Sequence, residues 1–302
     1  MAITLFLGSS DLTDITIPGS IAIIGDWAFS CCDRLAEIEI PESVTYLGES
    51  VFESCPKLRK VALYASAELS GNIFTGCKIE SLAHGTYYSL DKNGLLYNSD
   101  RTVLLGAVST DIESADIAET VTTIGNYAFY GCDSLYEVTI PAGVTSIGTA
   151  AFYDCGRVAE IVIPDGVTSI GNFAFYGCRR ISEISIPTQV TKLGQAMFYE
   201  CEGLTEIVIP GNVKSIEDYV FYNCTSLENV TIQNGVTSIG EGAFHWCTSL
   251  TEVTLPASVT KIDSFAFASC RSLTKITVPA GEVEIGSGAF PGQTTVVYED
   301  VK

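Results

Sequence analysis

Apolar and polar positions recur along this chain on a 23-residue beat. Phe29 and Phe52 stand one period apart, Phe74 follows after 22, and Phe129, Phe152, Phe175, Phe198, Phe221, Phe244, Phe267 and Phe290 keep the period without a slip. The same register places proline at Pro18, Pro41, Pro141, Pro164, Pro187, Pro210, Pro256 and Pro279, with Ala118 and Gln233 in the same slot. Inside each unit the pattern changes twice. LYEVTIP, residues 135–141, alternates apolar Leu135, Val138 and Ile140 with polar Glu137 and Thr139, which predicts a short strand buried on one face. Its proline ends the ladder for want of an N–H. Val144 and Ile147 then turn back to the core, and the compact YAFYGC segment predicts a single helical or 3₁₀ turn returning to the next strand. No such coil buries its apolar face alone, so a strict period means stacked coils, a repeat solenoid. Eleven phenylalanine positions predict about eleven turns of a curved right-handed superhelix, roughly 50 Å long, with a parallel β-sheet on its concave face.

The beat fails between Cys77 and Ile117. TYYSLDKNGLLYNSDRTVLLGAV holds two turn signals, at residues 91–94 and 98–101, between strand-like runs YYSL, LLYN and TVLLGA. The predicted organisation is one continuous domain with coils over 1–78, an inserted β-hairpin or meander over 79–117, and coils over 118–302. The opening MAITLFLGSS reads either as a first, incomplete coil or as the trimmed start of a longer exported chain, and PGQTTVVYEDVK as a closing strand.

A second pattern lies two residues before each phenylalanine. Trp27, Ser50, then Tyr127, Ala150, Phe173, Ala196, Tyr219, Gly242, Phe265 and Gly288 run large, small, large, small. A ring on every coil would crowd at strand spacing, so each ring is expected to lie over its neighbour's small residue. Phenylalanine, a cysteine three residues on, SL, a strand ending IP, then VTSIG: this combination resembles the BspA-type leucine-rich repeat of surface proteins from host-associated anaerobic bacteria and some parasitic protists. The resemblance covers nearly the whole chain and extends to the NGLLYN hairpin. It implies a leucine-rich-repeat fold and a surface or secreted adhesion role with no common enzymatic activity.

Composition narrows the partners. With 16 basic and 36 acidic residues the formal charge is −20, which disfavours nucleic acid and anionic membrane surfaces, and no run of apolar residues is long enough for a transmembrane helix. At 47% hydrophobic and 17% charged, the chain has the composition of a folded protein. Ten of the eleven cysteines sit three after a repeat phenylalanine, Cys31 being the exception. Disulfides between stacked coils, metal binding, or a buried thiol ladder bonding backbone carbonyls are the alternatives. The absence of Cys-x-x-Cys pairs and the isolation of His84 and His245 weaken the metal reading, and the equivalence of neighbours in a column favours the thiol ladder.

Two outward columns are candidate binding surfaces. Glu37, Glu137, Glu160, Glu183, Glu206 and Glu252 lie on the predicted strand face, four of them on consecutive coils, where like charges at strand spacing invite a cationic segment or Ca²⁺. Tyr130, Tyr153, Tyr176, Tyr199 and Tyr222, followed by His245, form an aromatic stripe that is either a packed seam or a recognition strip. No GK[ST] loop, GxSxG elbow or HExxH is present, so neither a catalytic residue nor a cofactor is expected. The expected role is extracellular or cell-surface binding of a host or matrix protein, or of a glycan. The alternative is a structural rod displaying another domain.

Overall fold

The structure is a computed structural model and describes residues 2–3, 6–64 and 66–299. Each coil has three sides. The first carries the alternating segments as parallel strands: Glu37–Ile40, Lys60–Leu63 and Ser81–His84 form one sheet, Glu252–Thr254, Lys275–Pro279 and Thr295–Glu299 another. Pairing is in register with the period, Glu37 opposite Lys60 and Glu206 opposite Asn229. The corner follows at the proline, whose carbonyl accepts from the valine three residues on, as Pro141 O does from Val144 N at 3.1 Å. A second side of two-residue strands comes next, Ser146–Ile147 pairing with Thr123–Ile124 and with Ser169–Ile170. There the backbones approach so closely that a Cβ on Gly148 would lie 2.6 Å from Asn126 N, which only glycine tolerates.

The third side corrects one expectation. Among the described residues there is no α- or 3₁₀-helix, and the return is a run of turns. Positions two before and two after most repeat phenylalanines are left-handed, for example Tyr127 (φ 57°) with Gly131 (φ 68°) and Ala150 (φ 51°) with Asp154 (φ 53°). This geometry points alternate amides at the next coil: Tyr127, Phe129 and Gly131 donate to the carbonyls of Thr149, Ala151 and Tyr153 at 2.7–2.9 Å. A helical turn would direct those amides into itself and leave the seam between coils without hydrogen bonds.

The phenylalanines fill the axis, stacked ring on ring at 5.0–6.0 Å between centroids. The stack starts one coil earlier than the Phe29 origin: Phe6 lies 5.3 Å from Phe29, and Ala2–Ile3 pairs with Ile23–Ile24. The incomplete first coil is therefore present, although Met1, Thr4 and Leu5 lie outside the described residues. At the other end Thr295–Glu299 forms the closing strand, with Asp300 to Lys302 outside the described residues.

The inserted segment forms Tyr88–Leu90, Leu95–Asn98 and Val103–Ala107, antiparallel in that order, with both turns where the sequence signals them. Val103–Ala107 then pairs in parallel with Thr123–Ile124 and so joins the second side of the following coil. Alternate residues face opposite ways. Leu96, Leu105 and Val108 complete a core running from Ile17 to Cys77, whereas Leu95, Tyr97, Leu104 and Ala107 open the core that continues to Ala289. The meander is thus a partition, buried on both faces. Asn72 clasps the coils around it: its Nδ2 donates to Ala107 O (3.1 Å) and Ala128 O (3.3 Å), and its Oδ1 accepts from Phe74 N (2.9 Å).

Candidate binding site

The strand face presents Glu37, Glu137, Glu160, Glu183, Glu206 and Glu252 to solvent, as the alternation requires. None of the ion pairs among the described residues involves them. Lys60 and Lys275 stand opposite Glu37 and Glu252, so the ends of the column are balanced by a neighbouring cation. The central four have no such neighbour. Between Glu160 and Glu183 the ladder is also thinnest, reduced to a single parallel bridge, while the strands at Glu137, Glu206 and Glu252 stay paired. Like charges about 4.8 Å apart repel, and a trough of about 500 Å³ lies between Glu160, Val162, Glu183 and Ser185. It continues towards Glu206 and Val208. Val162 and Val208 are 67% and 50% exposed, two apolar side chains beside the acidic column with Ser185 between them.

On the return side the tyrosine stripe is an ordered stack. Tyr130, Tyr153, Tyr176, Tyr199 and Tyr222 follow one another at 4.3–4.7 Å with interplanar angles of 4–13°, and His245 closes the row edge-on at 5.1 Å. Their faces are used up on each other, which leaves the hydroxyl edges outward. Burial is the largest cause pushing the Tyr130 phenol up to about 12, and it raises Tyr153 and Tyr199 as well. The phenols of Tyr130, Tyr153 and Tyr199 therefore stay protonated donors at neutral pH. Beside them Arg179 sits between Asp154 (3.6 Å) and Glu200 (3.3 Å).

The cysteines are free thiols, buried except for Cys31. Each repeat thiol from Cys155 to Cys270 donates to the phenylalanine carbonyl of the preceding coil at 3.0–3.2 Å, as Cys178 does to Phe152 O. The alternation of large and small residues also holds: a Cβ on Gly242 would meet the Tyr219 ring at 2.8 Å. Sequence reasoning overlooked Asn72, and also the residues before the large rings. Asp26, Asn126, Asn172 and Asp218 each accept, through Oδ1, the backbone N–H of the residue one period on, at 2.8–2.9 Å. The signal was available, since an Asn or Asp precedes four of the five large rings.

The BspA-type leucine-rich-repeat region matches residues 3–96, 108–228 and 214–298, in six copies. Among solved structures, a leucine-rich repeat protein from Bacteroides ovatus is 26% identical over 99% of this chain and 75% of its own, with a TM-score of 0.57. A leucine rich cell surface protein from Faecalibacterium prausnitzii is 24% identical over 92% of this chain and 83% of its own (TM-score 0.54). The pneumococcal vaccine antigen PcpA is 21% identical over 93% of this chain and 72% of its own (TM-score 0.60). The last two likenesses show the fold alone. No curated protein matches the chain. Parallel coils on a 23-residue beat, a stacked phenylalanine axis and a family match over most of the length converge, and the chain belongs to the BspA-type leucine-rich-repeat family.

Proposed function

We propose that the chain is a non-enzymatic protein-binding module of a secreted or surface-displayed protein, of adhesin type, that takes a cationic segment of a host or matrix protein on its acidic strand face. The observation that carries this reading is the run Glu137, Glu160, Glu183 and Glu206, exposed and without ion pairs among the described residues, with the strand ladder thinned to one bridge at Glu160 and Glu183. Four stacked carboxylates cost stability in the free protein, and a basic partner relieves that cost on binding. Val162 and Val208 supply apolar contact beside the charges. The tyrosine stripe is the second surface of this reading, a line of phenol donors between Tyr130 and Tyr222.

The rod reading has its own support, the phenylalanine stack that runs from Phe129 to Phe290 and stiffens the array. The two part in a binding experiment. A panel of immobilised matrix proteins and a lysine-rich peptide should retain the chain at low salt and release it as salt rises. The double variant Glu160→Lys with Glu183→Lys should lose at least tenfold in affinity. Retention that ignores this charge reversal sinks the acidic-face reading, and no retention on any member leaves the rod.

A further inference from the structure

The large rings of the return side form a row of their own. Tyr127, Phe173, Tyr219 and Phe265 are 46 residues apart, two coils, with Ala150, Ala196, Gly242 and Gly288 on the coils between. Tyr127, Phe173 and Tyr219 stand at 61°, 56° and 69° to the stacked tyrosines beside them, so their planes run along the solenoid axis. Tyr219 and Phe265 reach the small residue of the next coil. A Cβ on Gly242 would meet Tyr219 Cδ1 and Cε1 at 2.8 Å, and one on Gly288 would meet Phe265 Cε1 at 3.0 Å. The small residue thus meets the Cδ1–Cε1 edge of the ring rather than a face, and Phe265 stays 46% exposed. The left-handed backbone at all four positions, φ 57–59°, sets the rings in a common orientation. Asn172, Asp218 and Glu241 are polar neighbours of the row, and Tyr219 Oη donates to Glu241 at 2.8 Å.

We propose that this row binds an extended, uncharged β-1,4-linked polysaccharide, with alternate sugars stacked on Tyr127, Phe173, Tyr219 and Phe265. In such a chain each sugar is turned half a revolution from the one before, so the same pyranose face recurs at every second residue. Two coils advance about 9.6 Å, close to the length of a disaccharide in that conformation. Axial C–H groups of one pyranose face then meet one aromatic face at each stop. An extended polypeptide repeats its faces about every 6.8 Å and falls out of step with the rings. An α-1,4-linked glucan coils and cannot follow a straight row. The acidic residues beside the rings select against a polyuronate. This surface is on the return side and independent of the acidic strand face.

Affinity electrophoresis in gels holding hydroxyethylcellulose, β-mannan, glycol chitin, amylose or alginate tests it, with calorimetry on β-1,4-linked hexasaccharides. Retardation by at least one neutral β-1,4-linked polymer is expected, with none by amylose or alginate and with affinity rising from trisaccharide to hexasaccharide. Phe173→Ala and Phe265→Ala should each weaken retardation about tenfold, whereas Asp165→Asn, at an exposed corner away from the rings, should leave it unchanged. Phe173→Leu, which keeps the apolar cover over Ala196 but offers no flat face, should weaken it as much, which separates lost stacking from lost folding. No retardation by any neutral β-1,4-linked polymer overturns the proposal. So does equal retardation by amylose, or retardation that survives Phe173→Leu and Phe265→Ala together.

Discussion

A single residue can decide how two coils meet, and the return side shows it best. Among the described residues, sixteen non-glycine positions have positive φ, most of them two before or two after a repeat phenylalanine. Each such residue costs about 1–2 kcal/mol over a right-handed conformation, yet the turn amides gain partners on the next coil in exchange. The large and small side chains at these places follow from that geometry, because a ring pointing along the axis occupies its neighbour's space. Ala196, 4% exposed, lies between Phe173 and Tyr219. Ala196→Phe is therefore expected to destabilise the fold by about 1–3 kcal/mol through overcrowding. The same ring at Phe265 is native and flanked by Gly242 and Gly288. Chemical denaturation of the two proteins checks this, and an unchanged midpoint would mean that the rings do not need alternating space.

At the scale of the element, the coil and the meander differ in how far the sequence foretold them. The coil was legible because its period is strict: strand, proline corner and phenylalanine slot each recur 23 residues on, so one reading of LYEVTIP serves for all. Its return was not legible, since YAFYGC is compatible with a helical turn until the neighbour's carbonyls are in place to draw its amides outward. The turns of the insertion could be read from DKNG and NSDR, but its burial on both faces could not. LLYN carries no polar residue until Asn98, and a run of that kind does not say which neighbours will cover it. The clasp at Asn72 was invisible because an asparagine in a turn is ordinarily solvated. In the fold it is 5% exposed and holds two carbonyls and an amide from three segments. Gly106 makes room for it, since a Cβ there would lie 2.6 Å from Asn72 Cγ. Asn72→Ala strands these groups at roughly 1–3 kcal/mol each. Hydrogen exchange should rise in 66–108 well before it rises in 150–270. Uniform exchange along the variant would show that the clasp does not join the two blocks.

Across the whole molecule the buried thiols act together. From Cys132 to Cys247 burial is the chief cause raising every repeat thiol above the model-compound value of 9.0, and neighbouring thiols raise Cys155, Cys201 and Cys247 further. In the unfolded chain these six ionise near that ordinary value, while in the fold they stay neutral. Below it both states hold the protons and stability does not depend on them. Above it the unfolded state sheds protons that the native state keeps, and stability falls by about 1.4 kcal/mol per pH unit for each thiol. Six groups together give a slope of about 8 kcal/mol per pH unit, comparable with the whole stability of an ordinary domain. The repeat that makes the core uniform thus makes it cooperative towards alkali. The protein should keep a level unfolding midpoint up to about pH 8 and lose its far-ultraviolet dichroism in one steep step between roughly pH 9 and 11. Cys178→Ala with Cys201→Ala should make that step shallower by about a third, even though the cavities lower stability at neutral pH. A native signal that persists above that range, or a slope indifferent to the double substitution, would show that the thiols are not protonated donors to the phenylalanine carbonyls.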